Sequence, residues 1–310
     1  MLFAHAPERV YVNEVAVRDG FQSEPNFVPT DQKIDIVNRL ARTGLAKIEV
    51  TSFVSPKAIP NLRDAEEVMH GIERRPGVTY VALVPNERGC ERAIACGVDE
   101  INLVMSIGER HNLANMRMTC TQSLEQFLRV MALVRGTKLR VNGTIATAFG
   151  CPFEGDIPLE KVMWAADQYM QIGMHSITLA DTTGMAHPRQ VNELSGAIAA
   201  AHPEAPITLH FHNTRGMGLS NVIAGIEAGV RSYDASLGGI GGCPYAPGAT
   251  GNICTEDLVH MLESSGIDTG VDLDLLLSIA AALPTIVGHD VPGQVLKAGK
   301  RTDLHSEPAA

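Results

Sequence analysis

Two histidines carry the first chemical signal in this 310-residue sequence. They lie in Ile207-Thr208-Leu209-His210-Phe211-His212-Asn213, whose apolar and β-branched content predicts a strand. Side chains alternate along a strand, so His210 and His212 share one face while Leu209 and Phe211 take the other. Two imidazoles about 7 Å apart on a rigid strand can converge on one metal ion. The alternative is a pair of hydrogen-bonded core histidines. Asp19, in Arg18-Asp19-Gly20 after the first apolar run, either forms a turn or offers a carboxylate. One carboxylate and two imidazoles, completed by oxygen or water, suit an octahedral divalent ion such as Mg²⁺ or Mn²⁺; iron and zinc fit less specifically.

Further polar residues stand where an apolar chain would be simpler. Glu49 sits between Ile48 and Val50, which turns a carboxylate inward. A buried charge needs a partner, and Arg18 is the nearest candidate in the pattern. That pair either only braces the fold or also aims the guanidinium at the metal site, where its donor fork would stabilise an oxyanion. Residues 238–252 hold six glycines around Cys243. Glycine reaches backbone angles closed to other residues, so this stretch reads as a lid or a backbone nest. A cysteine in such a loop is a proton-transfer or nucleophile candidate, although a lone cysteine is often a small core residue. No Gly-Lys-Ser/Thr follows, which argues against a nucleotide P-loop.

These residues are far apart in sequence, so the elements that carry them must close on one another. Strands are predicted over 10–15, 47–51, 79–84, 100–106, 138–147, 176–181, 207–212 and 232–237. Helices are predicted between Thr30 and Gly44, then near 65–74, 87–96, 123–135, 159–172, 190–200, 218–228 and 256–264. A last helix near 273–282 falls outside the alternation. Eight strand–helix units predict an α/β fold, a (β/α)8 TIM barrel with an extra C-terminal helix. An open doubly wound sheet is the competitor, but its Gly-x-Gly-x-x-Gly turn is missing after the first strand. Residues 1–300 are read as one domain with this helical extension, and 301–310 as a disordered tail. In such a barrel the active site lies at the carboxyl ends of the strands. Arg18, Asp19, Glu49, Asp181, His210 and His212 all fall there. Lys47 and Lys138 fall at strand starts, which disfavours a Schiff-base lysine.

Composition narrows the partners. Lys and Arg number 25 against 35 Asp and Glu, a formal net charge of −10. With no basic run, nucleic acid and anionic membranes are poor partners. No apolar run reaches spanning length, and the first residues lack a signal-peptide pattern. Six cysteines without a Cys-x-x-Cys pair read as reduced thiols of a cytoplasmic enzyme.

A family pattern runs through the same residues. Glu14-x-x-x-Arg18-Asp19-Gly20-x-Gln22, Thr51-Ser52-Phe53-Val54-Ser55-Pro56-Lys57, Gly150-Cys151-Pro152-x-Glu154-Gly155, Asp181-Thr182-x-Gly184 and Gly241-Gly242-Cys243-Pro244-Tyr245-Ala246-x-Gly248-Ala249-x-Gly251-Asn252 occur in order. Together they resemble the 3-hydroxy-3-methylglutaryl-CoA lyase family, from about Val12 to about Gly270. The barrel core is similar, more widely, to isopropylmalate and homocitrate synthases. The resemblance implies a TIM barrel that cleaves an acyl-CoA thioester to acetyl-CoA and a keto acid, a homodimer, and a place in leucine degradation. It implies Asp19, His210, His212 and Asn252 as ligands of Mg²⁺ or Mn²⁺. Arg18, positioned by Glu49, would hold the thioester oxygen. Cys243 would act as acid/base, Asp181 as base or orienter, and Gln22 as a supporting substrate contact.

The pattern departs from the family at strand seven. Relatives commonly read His-x-His-Asp-Thr-Tyr-Gly-Gln, against His212-Asn213-Thr214-Arg215-Gly216-Met217 here. Arg215 places a fixed charge near the mouth, either solvated or in contact with the acid end of a substrate. Three expectations therefore stand side by side. One is cleavage of 3-hydroxy-3-methylglutaryl-CoA, or of a relative such as citramalyl-CoA. The second is a condensing synthase using acetyl-CoA. The third is a barrel that only binds, which the full set of catalytic residues disfavours.

Overall fold

The structure is a computed structural model that describes residues 7–242 and 250–304. Eight parallel strands close into a barrel in chain order: β1 (Tyr11–Glu14), β2 (Lys47–Ser52), β3 (Thr79–Leu83), β4 (Glu100–Ser106), β5 (Arg140–Ala146), β6 (Ser176–Asp181), β7 (Ile207–Phe211) and β8 (Ser232–Ala235). Helices α1 (Thr30–Leu40), α2 (Ala65–Gly71), α3 (Glu87–Ala95), α4 (Glu109–Met116), α5 (Cys120–Val134), α6 (Leu159–Gln171), α7 (Pro188–Ala201), α8 (Gly218–Glu227) and α9 (Thr255–Ser264) surround it. The eight-strand barrel expected from the alternation is what forms.

The main apolar core lies between sheet and helices. Outward strand residues such as Ile48, Leu103, Ile145, Leu179, Leu209 and Phe211 are buried there. Phe127 on α5 meets Tyr169 on α6 edge-on, ring centroids 5.9 Å apart. Gly143 on β5 makes room for that tyrosine, since a Cβ there would lie 2.3 Å from the ring.

Inside the barrel the pattern is different. Branched apolar side chains usually fill this space. Here Asn13, Glu49, Asn102, Asn142, Thr178, Thr208 and Asp234 line a central void of about 20 Å³. The strand register sets the inward rows: Ala180 pairs with His210, His210 with Asp234, and Asp234 with Asn13.

Two stretches differ from the sequence expectation. Helix α4 was not expected, because its polar residues show no apolar stripe; buried Asn112 holds it instead. The Asn112 carbonyl oxygen accepts the Ser106 amide, and its amide donates to Met118 O and Ser123 Oγ. The single helix expected after residue 273 is three segments, α10 (Leu273–Ala280), α11 (Leu283–Val287) and α12 (Val295–Ala298). Pro284 has no amide hydrogen to extend α10, so it opens α11 instead.

Candidate active site

The site begins in the turn after β1. Residues Ala16–Gly20 form one π-helical turn, in which the Asp19 and Gly20 amides both donate to Val15 O, at 2.7 and 3.4 Å. Such turns recur at functional sites. Glu14, fully buried at the end of β1, anchors it. Its Oε1 accepts the amides of Ala16 and Leu237, and its Oε2 the hydroxyl of Thr255. Burial pushes this carboxyl up to about 8, against those hydrogen bonds. Glu14 thereby ties the turn after β1 to the one after β8.

Arg18 projects from the π-turn over the barrel mouth. Its Nε donates to Glu49 Oε2 at 2.5 Å and its Nη1 to Asp19 Oδ1 at 2.7 Å. The other Glu49 oxygen accepts from Asn102 Nδ2 at 2.7 Å. Burial acts against the Arg18 charge, but Glu49 and Asp19 outweigh it and hold its pKa above the ordinary value. Nη2 of Arg18 keeps no protein partner among the described residues, so one face of the donor fork is free.

Asp19, His210 and His212 converge, with one ligand atom from each lying within 4.8 Å of the others. Burial disfavours the Asp19 charge, yet Arg18 and the two histidines overcome it and lower its pKa to about 2. Their ring centroids are 5.2 Å apart, but the two imidazoles differ electrostatically. Burial and the neighbouring His210 lower His212 to about 4, which keeps it neutral. For His210 burial is outweighed by Asp234, whose Oδ2 lies 3.3 Å from Nδ1.

Asn252 completes the cluster. Its Nδ2 donates to Asp19 Oδ2 at 2.7 Å and to Ile240 O at 3.1 Å; two acceptors on that side fix which end is nitrogen. The opposite atom, Oδ1, is buried without a hydrogen-bond partner among the described residues, as is His212 Nδ1. Buried polar atoms are rarely left so. A carboxylate held ionised, a neutral imidazole and an orphaned carbonyl oxygen make a donor set that fits a divalent cation.

The Gly-rich stretch leaves β8 directly over this cluster. Gly241 has φ +100°, and a Cβ there would lie 2.6 Å from Asn252 Nδ2 and 3.2 Å from Asp19 O. Ser23 Oγ donates to Gly242 O at 3.0 Å. Cys243, read from sequence as the acid/base, lies outside the described residues.

The remaining expected residues are placed less directly. Asp181 ends β6, but its oxygens accept the Met185 and Ala186 amides at 2.7 and 3.1 Å, so it holds the β6–α7 turn. Burial raises it to about 6 despite those bonds. Arg215 does not reach into the barrel mouth; its Nη1 donates to the carbonyls of Thr183 and Gly184, at 3.0 and 2.9 Å. Gln22 is half-buried just past the π-turn, and its carbonyl accepts from Asn61 Nδ2 at 3.4 Å.

Three residues were missed from sequence: Asn102, Asn142 and Asp234. Each is a polar residue inside an apolar strand, the signal that had singled out Glu49. A larger groove, about 740 Å³, opens at the amino ends of β3–β5 between Thr79, Asp99 and Arg140. It is remote from these groups.

Fold and site together define a (β/α)8 barrel with a candidate divalent-metal centre at the carboxyl ends of its strands. The HMGL-like family model matches residues 9–283, and the chain belongs to this family. It is 44% identical to the hydroxymethylglutaryl-CoA lyase YngG of Bacillus subtilis, over 95% of this chain and 98% of that protein. It is 40% identical to the (R)-citramalyl-CoA lyase of Chloroflexus aurantiacus, over 94% and 95%. The solved structure of an HMG-CoA lyase from Acinetobacter baumannii, in complex with coenzyme A and 3-methylmalate, superposes with a TM-score of 0.94. That chain is 53% identical, with 97% of this chain and 98% of that one covered. Among the described residues no helix is long and apolar enough to cross a membrane.

Proposed function

We propose that this protein is a divalent-metal-dependent carbon–carbon lyase that cleaves 3-hydroxy-3-methylglutaryl-CoA to acetyl-CoA and acetoacetate. One observation carries the reading. Asp19, His210, His212 and the orphaned Asn252 oxygen meet beside an arginine whose charge is clamped and whose Nη2 is free. The 44% identical relative named for this activity supports it.

Cleavage takes the proton from the tertiary hydroxyl, breaks the adjacent C–C bond and sends the electron pair toward the thioester oxygen. Asp19, His210, His212 and Asn252 would hold Mg²⁺ or Mn²⁺, which supplies Lewis-acid stabilisation of the negative charge on oxygen. Arg18 offers Nη2 to the thioester oxygen as its charge grows, and Glu49 prevents the guanidinium from turning away. Asp181 holds the β6–α7 loop through one amide on each oxygen. With a lone pair left on each and its carboxyl raised to about 6, it is also the base that takes the hydroxyl proton. Cys243 returns a proton to the departing acetyl-CoA carbon. Its support is the family pattern and the path of Gly241 over Asp19. Gln22 supports the substrate from the edge of the π-turn, and Arg215 sets the loop beside the mouth. The homodimer and the place in leucine degradation are carried over from the family resemblance. A cytoplasmic location agrees with the five described cysteines, all free.

A second reading, cleavage of citramalyl-CoA, is favoured by the 40% identity to a lyase of that name. A coupled assay of acetyl-CoA release, with both thioesters and an EDTA control, tests the two. EDTA-sensitive cleavage of the first supports the proposal. Cleavage of citramalyl-CoA alone replaces it by the second reading, and cleavage of neither rejects both.

A further inference from the structure

The polar barrel interior is organised as two hydrogen-bonded arms, each ending on a different half of the site. In the first arm Ser176 Oγ donates to Asn142 Oδ1 at 2.8 Å, and Asn142 Nδ2 to Asn102 Oδ1 at 3.0 Å. Asn102 Nδ2 then donates to Glu49 Oε1 at 2.7 Å, and Glu49 Oε2 receives Arg18. From Ser176 to Glu49 every bond runs in one direction, so the last donor arrives at Glu49 already oriented, and Arg18 donates to Glu49 from the other side. In the second arm Asn13 Nδ2 donates to Ser232 Oγ and to Asp234 Oδ1, at 3.0 and 2.9 Å. Asp234 Oδ2 then faces His210 Nδ1. Among the described residues no hydrogen bond joins Thr178 of the first arm to Thr208 beside the second.

We propose that Asn102 is the positioning residue for Arg18 and Asp234 the positioning residue for His210, so that turnover and metal affinity are set by separate arms. Glu49 has two oxygens and Arg18 has a free Nη2. Without the Asn102 donor, Glu49 Oε1 is free to swing onto Nη2 and make the bidentate pair that arginine and carboxylate favour. The donor aimed at the substrate would then be consumed. Asp234 is acceptor-only when ionised, so it keeps a proton on His210 Nδ1 and leaves the Nε2 lone pair for a cation. This rests on the lyase reading only where turnover is measured.

Two near-isosteric variants test it. In Asp234→Asn, Asn13 Nδ2 still requires an oxygen opposite it, so the new amide turns its NH₂ toward His210 Nδ1. The imidazole must then accept there and carry its proton on Nε2. Mn²⁺ titration of the metal-free protein should show affinity weakened about 10- to 100-fold, with kcat recovering at saturating metal. In Asn102→Leu the donor is lost while the shape is nearly kept, and Asn142 Nδ2 still has Thr178 Oγ1 to donate to. Mn²⁺ affinity should stay unchanged while kcat falls about 100-fold at nearly constant KM. Should Asn102→Leu not fold, Asn142→Ala removes the next donor and should give a smaller loss, again in kcat alone. If either variant moves affinity and turnover together with thermal stability, the polar core is merely structural and the proposal fails. An unsubstituted enzyme that binds Mn²⁺ but cleaves neither thioester rejects the lyase reading, and leaves the Asp234 arm to be judged by affinity.

Discussion

Glu49 grips Arg18 through Nε and Asp19 grips it through Nη1, at 2.5 and 2.7 Å, while Nη2 has no partner among the described residues. A guanidinium is a planar array of five N–H donors, so Nε and Nη1 can be held by two carboxylates while Nη2 is offered. Arg18→Lys therefore keeps the charge but loses the geometry. We expect kcat to fall about 10²- to 10³-fold. Metal content, measured by mass spectrometry, should remain unchanged, and loss of metal would show that Arg18 acts mainly through Asp19.

Metal retention should depend on the bridged pair His212 and Asn252. His212→Ala removes a neutral imidazole, and Asn252→Ala removes both the orphaned oxygen and the donor that fixes Asp19. Each is expected to lose Mn²⁺ on dialysis under conditions where the unsubstituted protein keeps it. Full metal content after His212→Ala would place the centre elsewhere.

Cys243 is tested by separating binding from turnover. Cys243→Ala should lose most of kcat and bind the thioester nearly normally, as followed by calorimetry with a slow substrate. Undiminished turnover would remove this thiol from the mechanism.

Gly241 should tolerate no side chain. Its φ of +100° strains any L residue, and an added Cβ would press on Asn252 and the Asp19 backbone. Gly241→Ala is expected to reduce both metal affinity and turnover while leaving most of the barrel folded by circular dichroism.

Glu14 makes stability depend on pH. Its carboxyl lies near 8 in the folded chain against an ordinary 4.5, and burial is the first cause. The folded state holds a proton that the unfolded state has lost, so stability is full below about pH 4.5 and declines as pH rises through 8. Glu256, raised by burial to about 7, adds to the same window. Glu14→Gln keeps an oxygen for the amides of Ala16 and Leu237 and offers an NH₂ that the Thr255 hydroxyl can accept. The thermal midpoint of this variant should fall less steeply between pH 5 and 8. An unchanged slope would mean that Glu14 does not titrate in this range.

Much of this was legible in the chain. The two-residue alternation through His210 and His212 determined which side chains share a face, because strand geometry leaves no other choice. Glu49 between Ile48 and Val50 announced a buried charge that needed a cation. The helical and strand periods, repeated eight times, determined a barrel and hence the end at which Asp19 and the histidines had to meet. Local order and face selection follow from the chain's own periodicity.

Only the closed barrel decided who meets whom. Asn252 lies 233 residues from Asp19 yet supplies its hydrogen bond, and Asp234 orients His210 through the β7–β8 register. The π-turn at Ala16–Gly20 is held by Glu14, whose partners include Leu237 and Thr255 from the far end of the chain. Arg215 turned to the carbonyls of Thr183 and Gly184 because the adjoining loop presents them, which its own neighbours in sequence do not reveal. Hydrogen-bond partners across a closed sheet are chosen by register and closure. Those are properties of all eight strands at once, and no local stretch contains them.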